Sequence, residues 1–228
     1  MHWYSNETVT LSSQEPFAVG GNRYCFRYPG KTELCIKVNQ PGRAEDVRKR
    51  SPLYKKIRRV ASFDDNVQEY RAYQQRAIRN AGEVVWSHLS RCHGWINTDI
   101  GIGLVSDFFA DNNNEPAMTL EVYLKQFGLT KEIENCIQQF SEYLRSTLLL
   151  TKNLLPHNIV VEFEDDKPNR LVIIDGLGIV GFFAFAKLSK SIARGYVEKR
   201  IKKMLLRVSW EAGGRKQLWK DVEKRGSV

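Results

Sequence analysis

The strongest constraint on the fold of this sequence is a change in its apolar periodicity near Met118. Before that residue, "FAVGGNRYCFRYPGKTELCIKVNQ" (residues 17–40) alternates apolar and polar positions, which predicts a β-hairpin followed by a further strand. After it, "TLEVYLKQF" and "TKEIENCIQQFSEYLRSTLLL" each begin at a threonine and carry apolar residues at helical spacing. We therefore predict an α+β protein with a β-rich N-lobe at residues 1–109 and a helical C-lobe at residues 110–228.

Each predicted lobe also contains an element of the other kind. In the N-lobe, "DNVQEYRAYQQRAIRNA" (residues 65–81) has the apolar stripe of a single helix, capped by Asp65 or Asn66, and residues 93–109 predict two more strands. In the C-lobe, "NIVVEF" and "LVIIDGLG" predict a short hairpin whose loop spans residues 164–170.

The net charge of +9 belongs to one terminal segment. Residues 187–228 hold 13 basic and four acidic residues, so residues 1–186 carry equal numbers of each sign. An apolar stripe here predicts a helix packed on the C-lobe with a solvated basic face, the interpretation that we favour. The alternative is a surface that docks an anionic partner, with help from basic residues between 48 and 59; lipid or lipopolysaccharide is favoured over nucleic acid. The predicted stripe comprises Phe185, Leu188, Ile192, Tyr196, Ile201, Leu205 and Val208.

Composition and spacing argue against several other classes. The apolar runs are far shorter than the ~20 residues of a membrane helix, so we expect no transmembrane segment and a cytoplasmic protein, peripheral at the inner membrane if lipid docks. The four cysteines form no C-x-x-C pair, which favours reduced thiols in the core. His88, Cys92 and His93 have no second ligand pair nearby, so we interpret them as packing residues rather than a metal site.

The stretch "TKNLLPHNIV" (residues 151–160) carries the first indication of chemistry. It resembles the catalytic loop of protein kinases, H-R-D-L-x-x-x-N, in which Asp accepts the substrate proton and Asn holds magnesium. Aligned with that pattern, Asn158 takes the place of the metal-binding Asn, and Asn153 takes the place of the catalytic Asp. In the alternative interpretation, Asn153 has no catalytic role and only caps the loop by hydrogen-bonding nearby backbone.

Three further residues follow the order of kinase motifs along the chain. Lys37 ends the strand "LCIKV", Glu69 lies on the next helix, and Asp175 follows the apolar run "LVII". In kinases the corresponding Lys contacts nucleotide phosphates, the Glu steadies that Lys, and the Asp holds magnesium. The combined order predicts an abbreviated protein-kinase-like, two-lobed fold with ATP and Mg²⁺ as cofactors, Lys37, Asn153 and Asp175 as catalytic residues, and Asn158 with Asp175 as metal ligands.

The remaining nucleotide contacts are predicted from position alone. Gly20 and Gly21 form a glycine turn that is poorer than the G-x-G-x-x-G loop of kinases. Asp107, Phe108 and Phe109 lie at the predicted hinge between the lobes, where the backbone would meet adenine. These five residues complete the expected cofactor site with Lys37 and Glu69.

A specific resemblance rests on "CIKV", the Glu69 helix, "HGWINTDIGIGLVSDFFADNNNEPAMTLEVYL", "LPHNIV" and "IIDGLG". Together they resemble the bacterial YrbL family of PhoP regulatory network proteins, which is grouped with kinase-like proteins, from about Pro16 to Arg207. In that family the catalytic-loop Asp is also replaced by a small polar residue, and the magnesium motif is Asp-x-x-Gly, here Asp175 to Gly178. The resemblance implies nucleotide binding and specifies no acceptor.

Three activities remain open at this point. Because phosphoryl transfer depends mainly on positioning and charge neutralisation, a weak phosphotransferase can act with Asn153 orienting the hydroxyl of a small-molecule, lipid or protein acceptor. A nucleotidyl transferase on the same fold would move another part of ATP. A pseudokinase would bind nucleotide as a switch and act only as a regulatory partner.

Overall fold

The computed structural model describes residues 2–57, 59–177 and 189–225. Contacts divide the chain into two compact units, the first formed by residues 1–73 and 90–108 and the second by residues 74–89 and 109–228. The α+β class is confirmed, whereas the kinase-like form and the lobe boundary at residue 109 stay predictions. Within the described residues, no helix combines the length and apolarity needed to span a membrane.

The first unit is built on a sheet whose described strands are β1 (Trp3–Val9), β2 (Ala18–Val19), β3 (Arg23–Tyr28), β4 (Lys31–Asn39), β5 (Cys92–Thr98) and β6 (Gly101–Asp107). Across the sheet they run in the order β1-β5-β6-β4-β3-β2. Strand β1 is parallel to β5, and all other neighbours are antiparallel. The predicted strands of residues 17–40 and 93–109 are confirmed, and β1 is an addition that the sequence did not suggest.

The two faces of the β3–β4 hairpin have different roles. Phe26 pairs with Ile36, and both point into a buried apolar cluster that also includes Leu11, Ile96 and Val105. The alternate residues of the same strands face the opposite side, because side chains alternate along a strand. That second face carries the charged residues of the candidate site.

In the described part of the first unit, three α-helices follow β4, and they differ from the prediction in one respect. They are α1 (Arg43–Arg50), α2 (Leu53–Lys56) and α3 (Asp65–Ala72). The single helix predicted for residues 65–81 is wrong, because α3 ends at Ala72 and α4 (Arg76–Asn80) begins in the second unit. Between them the Gln75 backbone is extended, and its side chain exchanges two hydrogen bonds with the backbone of Leu150 at 3.2 and 2.7 Å. Neither Asp65 nor Asn66 is the cap, since the Asp64 side chain accepts from the Val67 amide.

The second unit packs helices against a two-stranded sheet. Thr119 and Thr130 cap α5 and α6, as predicted, and α6 buries Ile133, Ile137 and Phe140. The elements after α4 are α5 (Leu120–Phe127), α6 (Lys131–Thr147), β7 (Ile159–Glu164), β8 (Lys167–Ile173), α7 (Lys190–Ala212) and α8 (Trp219–Arg225).

The β7–β8 loop is shorter than the predicted residues 164–170. Asp165 and Asp166 both have positive φ, at 48° and 59°, which is the backbone of a two-residue type I′ turn. Pairing therefore continues from Glu164 opposite Lys167 to Ile159 opposite Ile173.

The buried stripe of α7 also differs from the prediction. Ile201 and Val208 are buried as expected, but Ile192 and Leu205 are each 41% exposed. The helix carries two overlapping apolar stripes, and the one with the small Ala193 packs inward, where α5 and α6 lie. Phe185 and Leu188 lie outside the described residues. The buried stripe comprises Ala193, Val197, Ile201, Met204 and Val208.

Candidate functional site

A buried ionic cluster lies on the charged face of the β3–β4 hairpin. Lys37 of β4 donates through Nζ to Oε1 of Glu69 at 2.7 Å, and Arg23 of β3 contacts the other carboxylate oxygen, Oε2. Lys37, Arg23 and Glu69 are 6%, 7% and 3% exposed. The structure thus joins two of the predicted site residues and adds a second cation to the same carboxylate.

The register of the hairpin explains why the two cations meet. Lys37 pairs with Cys25, so Arg23, two residues from Cys25, projects from the same face of the sheet. Helix α3 presents Asn66 and Glu69 to that face, because residues three apart lie on one side of a helix. Asn66 Nδ2 donates to the Lys37 carbonyl at 2.8 Å, and its Oδ1 accepts from Arg23 at 3.1 Å. We refer to Arg23, Lys37, Asn66 and Glu69 as the ionic cluster.

Gly20 and Gly21 form the turn between β2 and β3. The Gly20 amide donates to the Arg23 carbonyl at 2.9 Å, which closes the turn directly before the ionic cluster. The next residue, Asn22, donates to Asp65 of α3 at 2.5 Å and accepts from Arg43 of α1. The glycine turn is therefore tied to the helix that carries Glu69.

Asp107, Phe108 and Phe109 lie at the end of β6 and just after it. Both carboxylate oxygens of Asp107 have partners, since Oδ2 accepts from the Arg91 amide at 2.7 Å and Oδ1 lies 2.6 Å from His93 Nε2. The Phe108 amide donates to Glu33, and the Phe109 carbonyl accepts from Ala117. The Phe108 amide and the Phe109 carbonyl are thus bonded within the protein.

The second unit brings the predicted loop residues together. Gly176 accepts through its carbonyl from the amides of Lys152 at 2.8 Å and Asn153 at 3.2 Å, so residues 151–158 and 174–177 are joined by backbone hydrogen bonds. Asn158 Nδ2 donates to the Asn153 carbonyl at 3.4 Å, and the Ile174 amide donates to the Asn158 carbonyl at 3.0 Å. We refer to Asn153, Asn158, Asp175 and Gly176 as the loop cluster.

Gly176 is required at its position in the loop cluster. Its φ is +92°, and a Cβ there would clash with the Asn153 carbonyl oxygen and lie 3.0 Å from Asn158 Nδ2. The two loops approach each other this closely because residue 176 has no side chain.

The side-chain oxygen atoms of the loop cluster are of the kind that binds a hard divalent cation. Magnesium prefers oxygen ligands, which the Asp175 carboxylate and the Asn158 amide oxygen can supply. The bond from Asn158 Nδ2 to Asn153 directs the amide oxygen of Asn158 away from the Asn153 carbonyl, and Asp175 Oδ1 accepts from the Gly176 amide at 2.5 Å. Gly178, the last residue of the Asp-x-x-Gly motif, lies outside the described residues.

His88 and Cys92 lie in surroundings typical of packing residues, whereas His93 Nε2 pairs with Asp107 Oδ1. His88 Nδ1 lies 2.7 Å from the Leu171 carbonyl, and burial lowers the pKa of this imidazole. Burial raises the pKa of the Cys92 thiol to about 12. Among the residues described, no three His, Cys, Asp or Glu side chains form a group able to hold a metal.

Two members of the ionic cluster were not predicted from the sequence. Predicting Arg23 requires the register of the hairpin, because Arg23 lies beside Lys37 only when the two strands are paired. The sequence predicts Asn66 as a helix cap, a role that Asp64 fills instead. One sequence signal does point to Asn66: it lies three residues before Glu69 on the helix predicted to carry the carboxylate, and residues at this spacing share a helix face.

Comparison with known proteins extends the resemblance over most of the chain. The sequence profile described as PhoP regulatory network protein YrbL matches residues 9–209. The YrbL proteins of Escherichia coli strain K12 and Shigella flexneri are each 28% identical to the chain over 186 residues, which covers 80% of the chain and 79% of each relative.

Proposed function

Because the chain belongs to the YrbL family of PhoP regulatory network proteins, we propose that it is an ATP-binding, kinase-like protein with weak or atypical phosphotransferase activity. The observation that carries the proposal is the buried pair of Lys37 and Glu69 on a strand and the helix that follows it. In kinases this pair positions the lysine against nucleotide phosphates.

The burial of this pair favours a functional role over a structural one. Removing two charges from water costs several kcal/mol per ion, and well-packed apolar residues of similar volume often serve stability equally well. A cation held by a fixed carboxylate is, in contrast, suited to meet phosphate oxygens in a constant position. Arg23 adds a planar donor group to the same carboxylate and fixes its second oxygen.

In the proposed activity, the loop cluster would hold magnesium and orient the acceptor. Asn158 and Asp175 would bind Mg²⁺, which neutralises phosphate charge when it is bound. Asn153 would orient an acceptor hydroxyl without removing its proton. A base contributes about 10²-fold to 10⁴-fold in rate, so its absence predicts slow turnover rather than none.

The finer assignments rest on this proposal. Gly20, Gly21 and the backbone of residues 107–109 would complete the nucleotide site of an abbreviated two-lobed kinase-like fold. The acceptor would be a small molecule, a lipid or lipopolysaccharide, or a protein, and the protein would act in the cytoplasm.

Calorimetric titration with ATP and magnesium tests the nucleotide site. Lys37→Met keeps the aliphatic stem and leaves Arg23 beside Glu69, so we expect a folded variant that binds about tenfold more weakly or worse. Asp175→Asn should weaken binding only in the presence of magnesium. Lys131→Met and Asp221→Asn make the same exchanges at exposed positions and serve as controls. Equal affinity in wild type, Lys37→Met and Asp175→Asn would refute the site.

Label transfer from ATP distinguishes the proposed activity from its alternatives. Transfer from the γ-phosphate supports a phosphotransferase, and transfer from the α-phosphate supports a nucleotidyl transferase. Asn153→Asp should leave transfer similar or raise it, whereas Asp175→Ala should abolish it. Nucleotide binding without transfer to any component of a cell extract would favour the pseudokinase.

A further inference from the structure

The segment that follows β4 combines strong positive charge with exposed aliphatic side chains. Residues 41–59 contain eight basic and two acidic residues, a net charge of +6, and include α1 and α2. We refer to residues 41–59 as the α1–α2 segment. We propose that it docks on an anionic lipid bilayer, with its cations on the head groups and its aliphatic side chains inserted among them.

The cations of this segment differ from those of the basic C-terminal helix α7 in their partners. Within the described part of the chain, no carboxylate lies at ion-pair distance from Lys49, Arg50, Lys56 or Arg59. In α7, by contrast, Lys203 pairs with Glu223 of α8, and Arg207 pairs with Glu211. Two cations of α7 are therefore neutralised within the protein, while the four cations named above are available to an external anion.

Two aliphatic side chains of the segment are directed into solvent. Leu53 is 81% exposed and Ile57 is 87% exposed, and they lie four residues apart, at helical spacing in and directly after α2. Exposure of this extent leaves nearly the whole of each side chain available for burial. Aliphatic groups flanked by Lys and Arg are the composition of segments that lie in the interface of a membrane.

A cavity of about 310 Å³ lies within the segment and is lined by Glu45, Arg48, Lys49 and Lys56. Arg48 Nε donates to the Lys56 carbonyl at 3.0 Å and thereby joins α1 to the residues of α2. Three cations around one small cavity suit a phosphate head group, and Glu45 can accept from hydroxyl or amine groups of the same head group.

The aliphatic side chains favour a bilayer over a nucleic acid. Phosphate contacts alone would suit either polyanion, but single-stranded nucleic acids are bound on aromatic side chains, and aliphatic groups gain little from a phosphate backbone. The inference does not depend on nucleotide binding, because no residue of the α1–α2 segment belongs to the ionic or loop cluster.

Flotation of the full chain with vesicles tests the proposal. We expect binding to phosphatidylcholine vesicles that contain phosphatidylglycerol, weaker binding at high salt, and none to phosphatidylcholine alone. Lys49→Gln with Lys56→Gln should weaken partitioning by about 25-fold, since each cation near an anionic surface contributes roughly fivefold. Leu53→Ser with Ile57→Ser should weaken it about tenfold or more, with unchanged thermal unfolding because both positions are exposed.

The control removes the same charge elsewhere. Lys199→Gln with Lys202→Gln changes two exposed residues of α7 and should alter partitioning less than twofold. The proposal is overturned if this control weakens binding as much as Lys49→Gln with Lys56→Gln, because net charge alone would then explain attraction. It is also overturned if the two serine substitutions bind as wild type, or if a single-stranded oligonucleotide binds through Lys49 and Lys56 while vesicles do not.

Discussion

The ionic cluster of the first unit and the loop cluster of the second are built in opposite ways. The ionic cluster consists of buried side chains on two strands and a helix, and its bonds depend on which side chains are present. The loop cluster is half-buried, and within the described residues its two loops are joined by hydrogen bonds between backbone groups. Asn153 contributes to the fold through its amide and carbonyl, which every residue other than proline possesses. The identity of residue 153 can therefore change with the chemistry, while Glu69 cannot change without leaving two buried cations unpaired.

The largest effect should come from removing the carboxylate of the ionic cluster. Glu69→Ala leaves Arg23 and Lys37 buried without the group that both contact, and breaking a buried pair in this way costs about 3–5 kcal/mol of unfolding free energy. Urea unfolding of the full chain measures the loss, and Glu69→Gln should cost less because the amide oxygen still accepts a hydrogen bond.

Glu7→Gln provides the control for this prediction, because Glu7 is exposed on β1. A loss at Glu69 no greater than the loss at Glu7 would show that the ionic cluster adds nothing to stability and would remove the contrast between the two clusters.

In the loop cluster, the free energy of unfolding should be sensitive to substitution of Gly176 rather than of Asn153. Gly176→Ala introduces a Cβ that clashes with the Asn153 carbonyl, at a backbone angle that alanine disfavours, so we expect a loss of about 1–3 kcal/mol in urea unfolding. Gly214→Ala is the matched control, because its φ of +72° imposes similar strain while its Cβ would meet no atom within 4 Å. The difference between the two variants measures the clash alone, and equal losses would mean that the two loops do not require the close approach.

The smallest effect concerns pH and belongs to the second unit. The His88 carbonyl accepts a hydrogen bond from the Ile173 amide, and the centroid of its ring lies 4.8 Å from that of Tyr143. His88 therefore supports the strand that leads into the loop cluster. Burial lowers its pKa below the ordinary 6.5, which means that the folded state disfavours the protonated ring. The stability contributed by neutral His88 is present above pH 6.5 and is lost as pH falls through the lowered value.

Urea unfolding at neutral pH and at about pH 5.5 should therefore show that acid lowers the free energy of unfolding more in wild type than in His88→Gln, in which residue 88 cannot titrate. Parallel losses in the two proteins would exclude His88 as a source of pH dependence.

The sequence alone is sufficient to predict the structural features that depend on a local pattern. The caps at Thr119 and Thr130, the strands of residues 17–40 and the pairing of Lys37 with Glu69 all follow from spacing along neighbouring elements. Each of these features involves residues whose relation is fixed by one strand, one helix or the order of adjacent elements.

The features that were missed depend on contacts between distant segments. Strand β1 has its partner about 90 residues later, and nothing in "WYSNETV" indicates it. The predicted helix of residues 65–81 is broken because Leu150 binds Gln75 from a remote part of the chain. On α7 two apolar stripes share Ile201 and Val208, and only packing decides which stripe is buried. Local periodicity cannot distinguish these alternatives.

The order of the units along the chain has a consequence during protein synthesis. Of the six strands described in the first unit, β1 leaves the ribosome before the others, yet its partner β5 is about 90 residues behind it. At roughly 5–20 residues per second, β1 waits on the order of 5–20 seconds for β5 to be translated. During that interval residues 74–89, which belong to the second unit, also emerge before their own partners. The nascent chain therefore carries unfinished parts of both units at once, and early in translation it presents unpaired strand edges of the kind that chaperones protect.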